Sequence, residues 1–154
     1  MSENQEKIKV LFLCTGNSCR SQIAEGWARH FKSDVIEAYS AGVAPGGINT
    51  RAINVMAEIG VDISRQTPKH VDNLLGIDFD YAVTLCDDAR EHCPVFAGEA
   101  KLIHRAFKDP SFMTGSEEEI MAAFRKLRDE IRAFVEKMPE GLEKLAEGSC
   151  EQKE

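Results

Sequence analysis

The residues best able to do chemistry in this 154-residue chain stand in one run, Cys14-Thr15-Gly16-Asn17-Ser18-Cys19-Arg20-Ser21. The pattern suits the binding and attack of a tetrahedral oxyanion. Gly16, Asn17 and Ser18 tolerate tight or left-handed backbone, so the loop can turn successive N–H groups toward an anion. Arg20 adds a planar fork matched to two anion oxygens. Cys14 supplies a nucleophile, and the Ser21 hydroxyl, seven residues on, is a candidate to hydrogen-bond its sulfur. With nine arginines in the chain, about 0.2 matches to Cys-x5-Arg arise by chance, so the string alone decides little. Its setting decides more: it begins where a buried strand ends and finishes where an amphipathic helix begins. There the helix N-terminus favours both an anion and a thiolate. The competing account is an inert, buried thiol.

Three further positions invite a chemical reading. Cys86 ends another apolar run and Cys93 follows seven residues later. With His92 this pair matches no usual zinc spacing, so no metal is expected, and two unrelated thiols remain the alternative. Asp109 stands before Pro110, where a carboxyl can serve an anion site or simply make a turn. Cys19 within the loop is given no catalytic role, and Cys150 in the charged tail is an incidental thiol. His30, His70, His92 and His104 show no ligand spacing. Asp87, Asp88 and Glu91 form a solvated acidic face.

The elements that must position these residues alternate in type. Lys7–Cys14 (KIKVLFLC) is nearly continuously apolar, as a strand covered on both faces should be. Ile23, Trp27 and Phe31 mark one buried helix face. Strands are expected over Val35–Ser40, Tyr81–Cys86 and Lys101–His104. One helix passes through Ala52, Val55, Met56 and Ile59 to Gly60 at its C-terminal stop. Thr67-Pro68 reads as an N-cap and first turn of a short helix reaching Leu75-Gly76. Ser116 and Glu119 form a capping box for a last helix striped by Ile120, Phe124, Leu127, Ile131, Phe134 and Met138, up to Pro139. This order predicts an α/β, three-layer domain, a four-stranded parallel sheet flanked by helices. Ligands of such sheets bind beyond the carboxyl ends of strands, where Cys14 and Cys86 both lie. One domain over 1–154 is expected, with a core over about 7–138 and a frayed polar tail over 140–154.

Composition narrows the class. Nineteen Lys and Arg against 26 Asp and Glu give a net charge of −7, which argues against nucleic acid as a partner. No run approaches the ~18 apolar residues of a membrane span. The first seven residues hold no basic and apolar signal pattern, and five cysteines then point to thiol chemistry in a reducing cytoplasm.

The strings LFLCTGNSCRSQIAEGWARHF, SAGVAPGGINTRAINVMAEIGVDIS, VTLCDDAREHCP and Lys108-Asp109-Pro110 resemble the thioredoxin-coupled arsenate reductases, which share a fold with the low-molecular-weight protein tyrosine phosphatases. The likeness runs from about Lys7 to Val135. It implies that Cys14 is the nucleophile, that Thr15 through Ser21 hold the oxyanion, and that Asp109 assists proton transfer. It further implies that Cys86 attacks the Cys14–arsenic adduct, releasing arsenite and leaving a Cys14–Cys86 disulfide. Cys93 then moves the disulfide outward to Cys86–Cys93, where thioredoxin or a similar thiol reductant restores it. No organic or metal cofactor is implied, and a monomer is expected.

The alternative is a phosphatase hydrolysing phosphomonoesters through a phosphocysteine, for which Cys14, Arg20 and Asp109 suffice. Two phosphatase marks are missing: Gln22 replaces the usual Pro after the loop Ser, and Ser111 rather than an aromatic follows Asp109-Pro110. Some of the similar reductases bind potassium through residues matching Asn17, Glu25, Ser40 and an acidic residue. Lys69 stands at the acidic position here, so an ammonium is expected to replace the ion, pair with Glu25 and hold Asn17. Finally, Ala89, Arg90 and Glu91 favour a short helix closed by Pro94. Seven helical residues rise about 10.5 Å, whereas disulfide-bonded Cα atoms lie within roughly 7 Å. Helix and Cys86–Cys93 bond are therefore expected to exclude each other.

Overall fold

The computed structural model describes residues 7–92 and 100–145. Four parallel strands, β1 (Ile8–Cys14), β2 (Ile36–Gly42), β3 (Tyr81–Thr84) and β4 (Lys101–His104), form one sheet in the order β2-β1-β3-β4. Helices α1 (Arg20–Phe31), α2 (Thr50–Ala57), α3 (Asp87–Glu91) and α4 (Glu117–Glu136) flank it. Two 3₁₀ turns, Val71–Leu74 and Pro110–Phe112, and a helical stretch over residues 140–145 add to the regular structure. Val10, Leu11, Phe12 and Leu13 are all fully buried, so successive side chains on both faces of β1 are covered, as the expected three-layer arrangement requires.

The topology itself marks a site. From β1 the chain crosses to β2 on one side, then returns to β3 on the other. The strand order thus reverses at the carboxyl end of β1, where such sheets open a crevice. Leu13 pairs with Thr84, and the Leu85 N–H donates to the Leu13 carbonyl at 2.8 Å. That register sets Cys14 and Cys86 at the same edge on neighbouring strands.

Helices α1 and α4 form where their sequences predict, except that Phe31, expected on the buried face of α1, is exposed at the helix end. Trp27 and Ile23 turn the apolar face of α1 into the core, and the Trp27 indole N–H donates to the Arg128 carbonyl of α4 at 3.0 Å. Ser116 and Glu119 form the reciprocal capping box at the start of α4, whose Ile120, Phe124, Leu127, Ile131 and Val135 are buried.

Several boundaries differ from the sequence expectation. Residues Thr67-Pro68 are not the start of a helix: the turn begins at Val71, capped by His70. The reason is tertiary. Lys69 and His70 lie extended beside Gly42, whose N–H donates to the Lys69 carbonyl at 2.9 Å. β2 runs on to Gly42 because Ala41 and Gly42 pair with Leu13 and Cys14. β3 stops at Thr84, so Cys86 lies in the corner before α3 rather than on the strand. α2 ends at Ala57, leaving Ile59 exposed and Gly60 in a turn at φ +84°. Residues 140–145 are helical with Leu142 fully buried, so the fold does not fray directly after Pro139.

Candidate active site

The run from Cys14 to Ser21 connects β1 to α1 as a closed loop. Its shape follows from where its carbonyls go. The Cys14 carbonyl accepts from Val43 N–H, Thr15 from Ala44, Gly16 from Gly46 and Ser18 from Asn49. The Asn17 carbonyl accepts from Gln22 Nε2 at 2.9 Å, and Cys19 from the helical N–H of Ile23. In a trans peptide the N–H opposes the C=O, so turning these carbonyls outward turns the following N–H groups toward the loop's interior. The supporting segment over residues 43–49 lies in one of the strings that carry the resemblance, but was given no role at the site by sequence; its glycines were the available signal.

Two residues give the loop its tight geometry. Asn17 adopts the left-handed conformation at φ +50°, which Asn tolerates better than most side chains. Gly42 must lack a side chain: a Cβ there would lie 2.6 Å from the Thr15 carbonyl oxygen and 2.9 Å from the Asn17 nitrogen.

Around the loop the side chains form a connected polar network. Cys14 is buried, with its sulfur 2.9 Å from Ser21 Oγ. Asn17 Nδ2 donates to Ser21 Oγ at 2.8 Å and to Ser40 Oγ at 3.0 Å. Because Ser21 accepts from Asn17, its own proton is available to the Cys14 sulfur, where it stabilises negative charge. The Asn17 carbonyl oxygen of the side chain accepts from Lys69 N–H at 2.9 Å.

Arg20 is buried at the loop's end. Its Nη1 donates to the Phe107 carbonyl at 3.1 Å and its Nη2 lies 3.4 Å from Asp109 Oδ2. Nε is buried without a protein partner among the described residues, a donor that an oxyanion in the loop would satisfy. Asp109 makes the expected turn, with Oδ1 accepting from Ser111 N–H at 2.9 Å to cap the 3₁₀ segment, and its Oδ2 faces Arg20. A cavity of about 260 Å³ is lined by Cys14, Thr15, Gly16, Arg20, Asp109 and Phe112. Cys19 also reaches it but is a poor nucleophile, since burial and the nearby Asp109 push its thiol far above the usual range.

The second thiol comes to the same edge. Cys86 is buried, and its sulfur lies 3.3 Å from Oγ1 of Thr15, the residue next to Cys14. Ala89 N–H of α3 donates to that sulfur at 3.4 Å. Cys14, Cys19 and Cys86 are all free thiols. Cys93, with Pro94 and Cys150, lies outside the described residues.

The residues matching a potassium site do not fit an ion here. One oxygen of Glu25 accepts from the Ser40 hydroxyl and the other from Arg29 Nε, at 2.7 Å. The Lys69 ammonium donates to the carbonyls of Ser40 and Thr67, at 3.2 and 2.8 Å. The expected Lys69–Glu25 pair is thus replaced by Arg29, four residues along α1 from Glu25, and it is the Lys69 backbone that holds Asn17. No group of three or more potential metal ligands occurs among the described residues, nor does any described helix have the length and apolarity to cross a membrane.

Comparison with known proteins gives this geometry its lineage. The model of the low molecular weight phosphotyrosine protein phosphatases matches residues 9–148. An arsenate reductase of Bacillus subtilis (strain 168) is 47% identical over 79% of this chain and 88% of its own. A solved arsenate reductase in the phosphate binding state superposes with a TM-score of 0.72 and 31% identity, over 84% of this chain and 94% of that one. A thioredoxin-dependent arsenate reductase of Corynebacterium glutamicum matches with a TM-score of 0.58 and 26% identity, over 85% of this chain and 61% of that one. With an anion loop at the switch point of its sheet and a second thiol beside it, this chain belongs to the low molecular weight phosphotyrosine protein phosphatase family, among its arsenate reductases.

Proposed function

We propose that this protein reduces arsenate to arsenite in the cytoplasm through Cys14, Cys86 and Cys93, with thioredoxin restoring the thiols. The observation that carries the reading is the buried Cys86 thiol at 3.3 Å from Thr15, on the strand edge that bears Cys14. A phosphatase has no use for it; a two-electron reduction does.

The Cys14 thiolate attacks arsenic while the loop N–H groups and Arg20 hold the other oxygens, and a hydroxyl leaves as water with a proton from Asp109. The Cys86 thiolate attacks Cys14 Sγ; the S–S bond forms, and the As–S bond breaks with its electron pair going to arsenic, which leaves as arsenite. Cys93 then attacks Cys86 Sγ and releases the Cys14 thiolate. Thioredoxin, a dithiol, takes up the Cys86–Cys93 disulfide and is itself oxidised. The loop, Arg20, Asp109 and the thiols all come from one chain, which supports a monomer as the working unit. The name of the similar Corynebacterium protein supports thioredoxin as the reductant.

Phosphomonoester hydrolysis is the second reading, favoured by the loop and Asp109 taken without Cys86. NADPH consumption with arsenate, thioredoxin and thioredoxin reductase, set against p-nitrophenyl phosphate hydrolysis, tests the pair. Sustained arsenate-dependent consumption is expected. Rapid phosphate release with no arsenate-dependent consumption would overturn the reductase reading.

A further inference from the structure

Cys86 is bracketed by two residues that one imidazole ring holds. His104 closes β4, with Nδ1 2.8 Å from Thr84 Oγ1 and Nε2 3.0 Å from Asp87 Oδ1. Thr84 ends β3 and Asp87 begins α3, so the ring spans the corner that carries Cys86. A carboxylate only accepts, so Nε2 bears the proton of the Asp87 bond. In the neutral ring Nδ1 then accepts from the Thr84 hydroxyl. The hydroxyl's other neighbour, the Ile103 carbonyl, is farther away at 3.3 Å.

The anchoring has a direction. Thr84 is buried, the His104 side chain is 22% exposed and the Asp87 side chain 73%. The ring is therefore fixed at a buried hydroxyl and reaches outward to restrain the first residue of α3. A five-residue helix cannot hold itself, because nucleation costs more than its few hydrogen bonds return. Among the described residues, the buried Ala89 and this link to β4 help keep α3 on the sheet.

We propose that His104 is a positioning residue for arsenate reduction: by tying Thr84 to Asp87 it holds the Cys86 thiol at Thr15 and toward Cys14. The inference rests on the thiol relay proposed above. It touches neither arsenate nor any sulfur directly, so its effect must appear in the step that uses Cys86 and in no earlier one.

Three variants separate the two bonds. His104→Asn keeps a polar group near Nδ1, His104→Gln keeps one near Nε2, and His104→Ala keeps neither. Arsenite release in a single turnover is expected to slow about tenfold in His104→Ala, since misplacing a reacting group by a fraction of an ångström to an ångström has effects of this order or larger. The Asn and Gln variants should fall between it and the parent. Hydrolysis of p-nitrophenyl phosphate, which needs the loop and not Cys86, should stay within about twofold, whereas a loss of folded protein would lower both activities together. Unchanged arsenite release in His104→Ala, or equal losses in the two assays, overturns the proposal. Cys86→Ser run alongside distinguishes the failures: arsenite release at the parent rate would sink the relay itself. Its absence, with His104→Ala unimpaired, would sink only the positioning role.

Discussion

Replacing Asn17 by Asp keeps the side chain's shape but turns its two N–H donors, to Ser21 and Ser40, into a negatively charged acceptor. Asn17 Nδ2 donates to Ser21 Oγ at 2.8 Å, and this leaves the Ser21 proton for the Cys14 sulfur at 2.9 Å. A carboxylate at the same place can only accept, so it draws the Ser21 proton to itself and away from sulfur. Ser40 offers no relief, because its own proton goes to Glu25. A hydrogen bond to a charged group is worth about 1.5–3 kcal/mol, or about 10- to 150-fold in the rate of the Cys14 step. The assay is kcat/KM for p-nitrophenyl phosphate and for arsenate in the parent, Asn17→Asp, Ser21→Ala and the double variant. If the effect travels through the Ser21 proton, the double variant should be no slower than Ser21→Ala. Should the added charge simply repel the anion, the loss would persist in the Ser21→Ala background, and that result refutes the reasoning.

Other expectations follow from the site. Cys14→Ser should abolish every activity, Cys86→Ser should stop arsenite release but spare phosphate-ester hydrolysis, and Cys93→Ser should complete one turnover and stall as a Cys14–Cys86 disulfide; continuous thioredoxin-coupled turnover by Cys93→Ser would break the relay. Asp109→Asn and Asp109→Ala should slow single-turnover arsenate reduction by the ~10²–10⁴-fold typical of a lost proton donor, and undiminished rates would leave Asp109 only its cap on Ser111. Because Arg29 and Lys69 already occupy the polar groups around Glu25 and Ser40, Tm should rise equally with K⁺ and Na⁺ at one ionic strength; a rise specific to K⁺ would contradict this. Amides from Asp87 to Glu91 should lose hydrogen-exchange protection when the Cys86–Cys93 disulfide, confirmed by mass spectrometry, has formed, and equal protection in both forms would mean that α3 survives oxidation.

What could be read from the residues alone was local. The apolar run into Cys14, the small and polar residues after it, the four-residue spacing of Ile23 and Trp27, and the Ser116–Glu119 box are signals carried within one turn or one strand. Each emerged as expected. The alternation of these elements implied the α/β class, and strand ends that bear cysteines implied the site. Local preference was overruled where a distant segment made a better offer of hydrogen bonds. Thr67-Pro68 has helix-start chemistry, yet Gly42 N–H takes the Lys69 carbonyl and draws that stretch out straight. Leu142 looked like part of a charged tail because one buried leucine in a short helix makes no periodic pattern.

The site's working parts were decided almost wholly by contacts across the chain. Nothing in the string Cys14 to Ser21 says that residues 43–49 will bind its carbonyls, which is what aims its N–H groups inward. The Glu25–Arg29 pair was legible in its i,i+4 spacing on α1, but no spacing reveals that His104 will bridge Thr84 and Asp87 on either side of Cys86. Sequence determines which chemistry a side chain can offer and which element it sits on. Which thiol, hydroxyl and guanidinium meet depends on strand order and register, and these are set by burying the sheet's two faces at once, a property of the whole chain that no single segment carries.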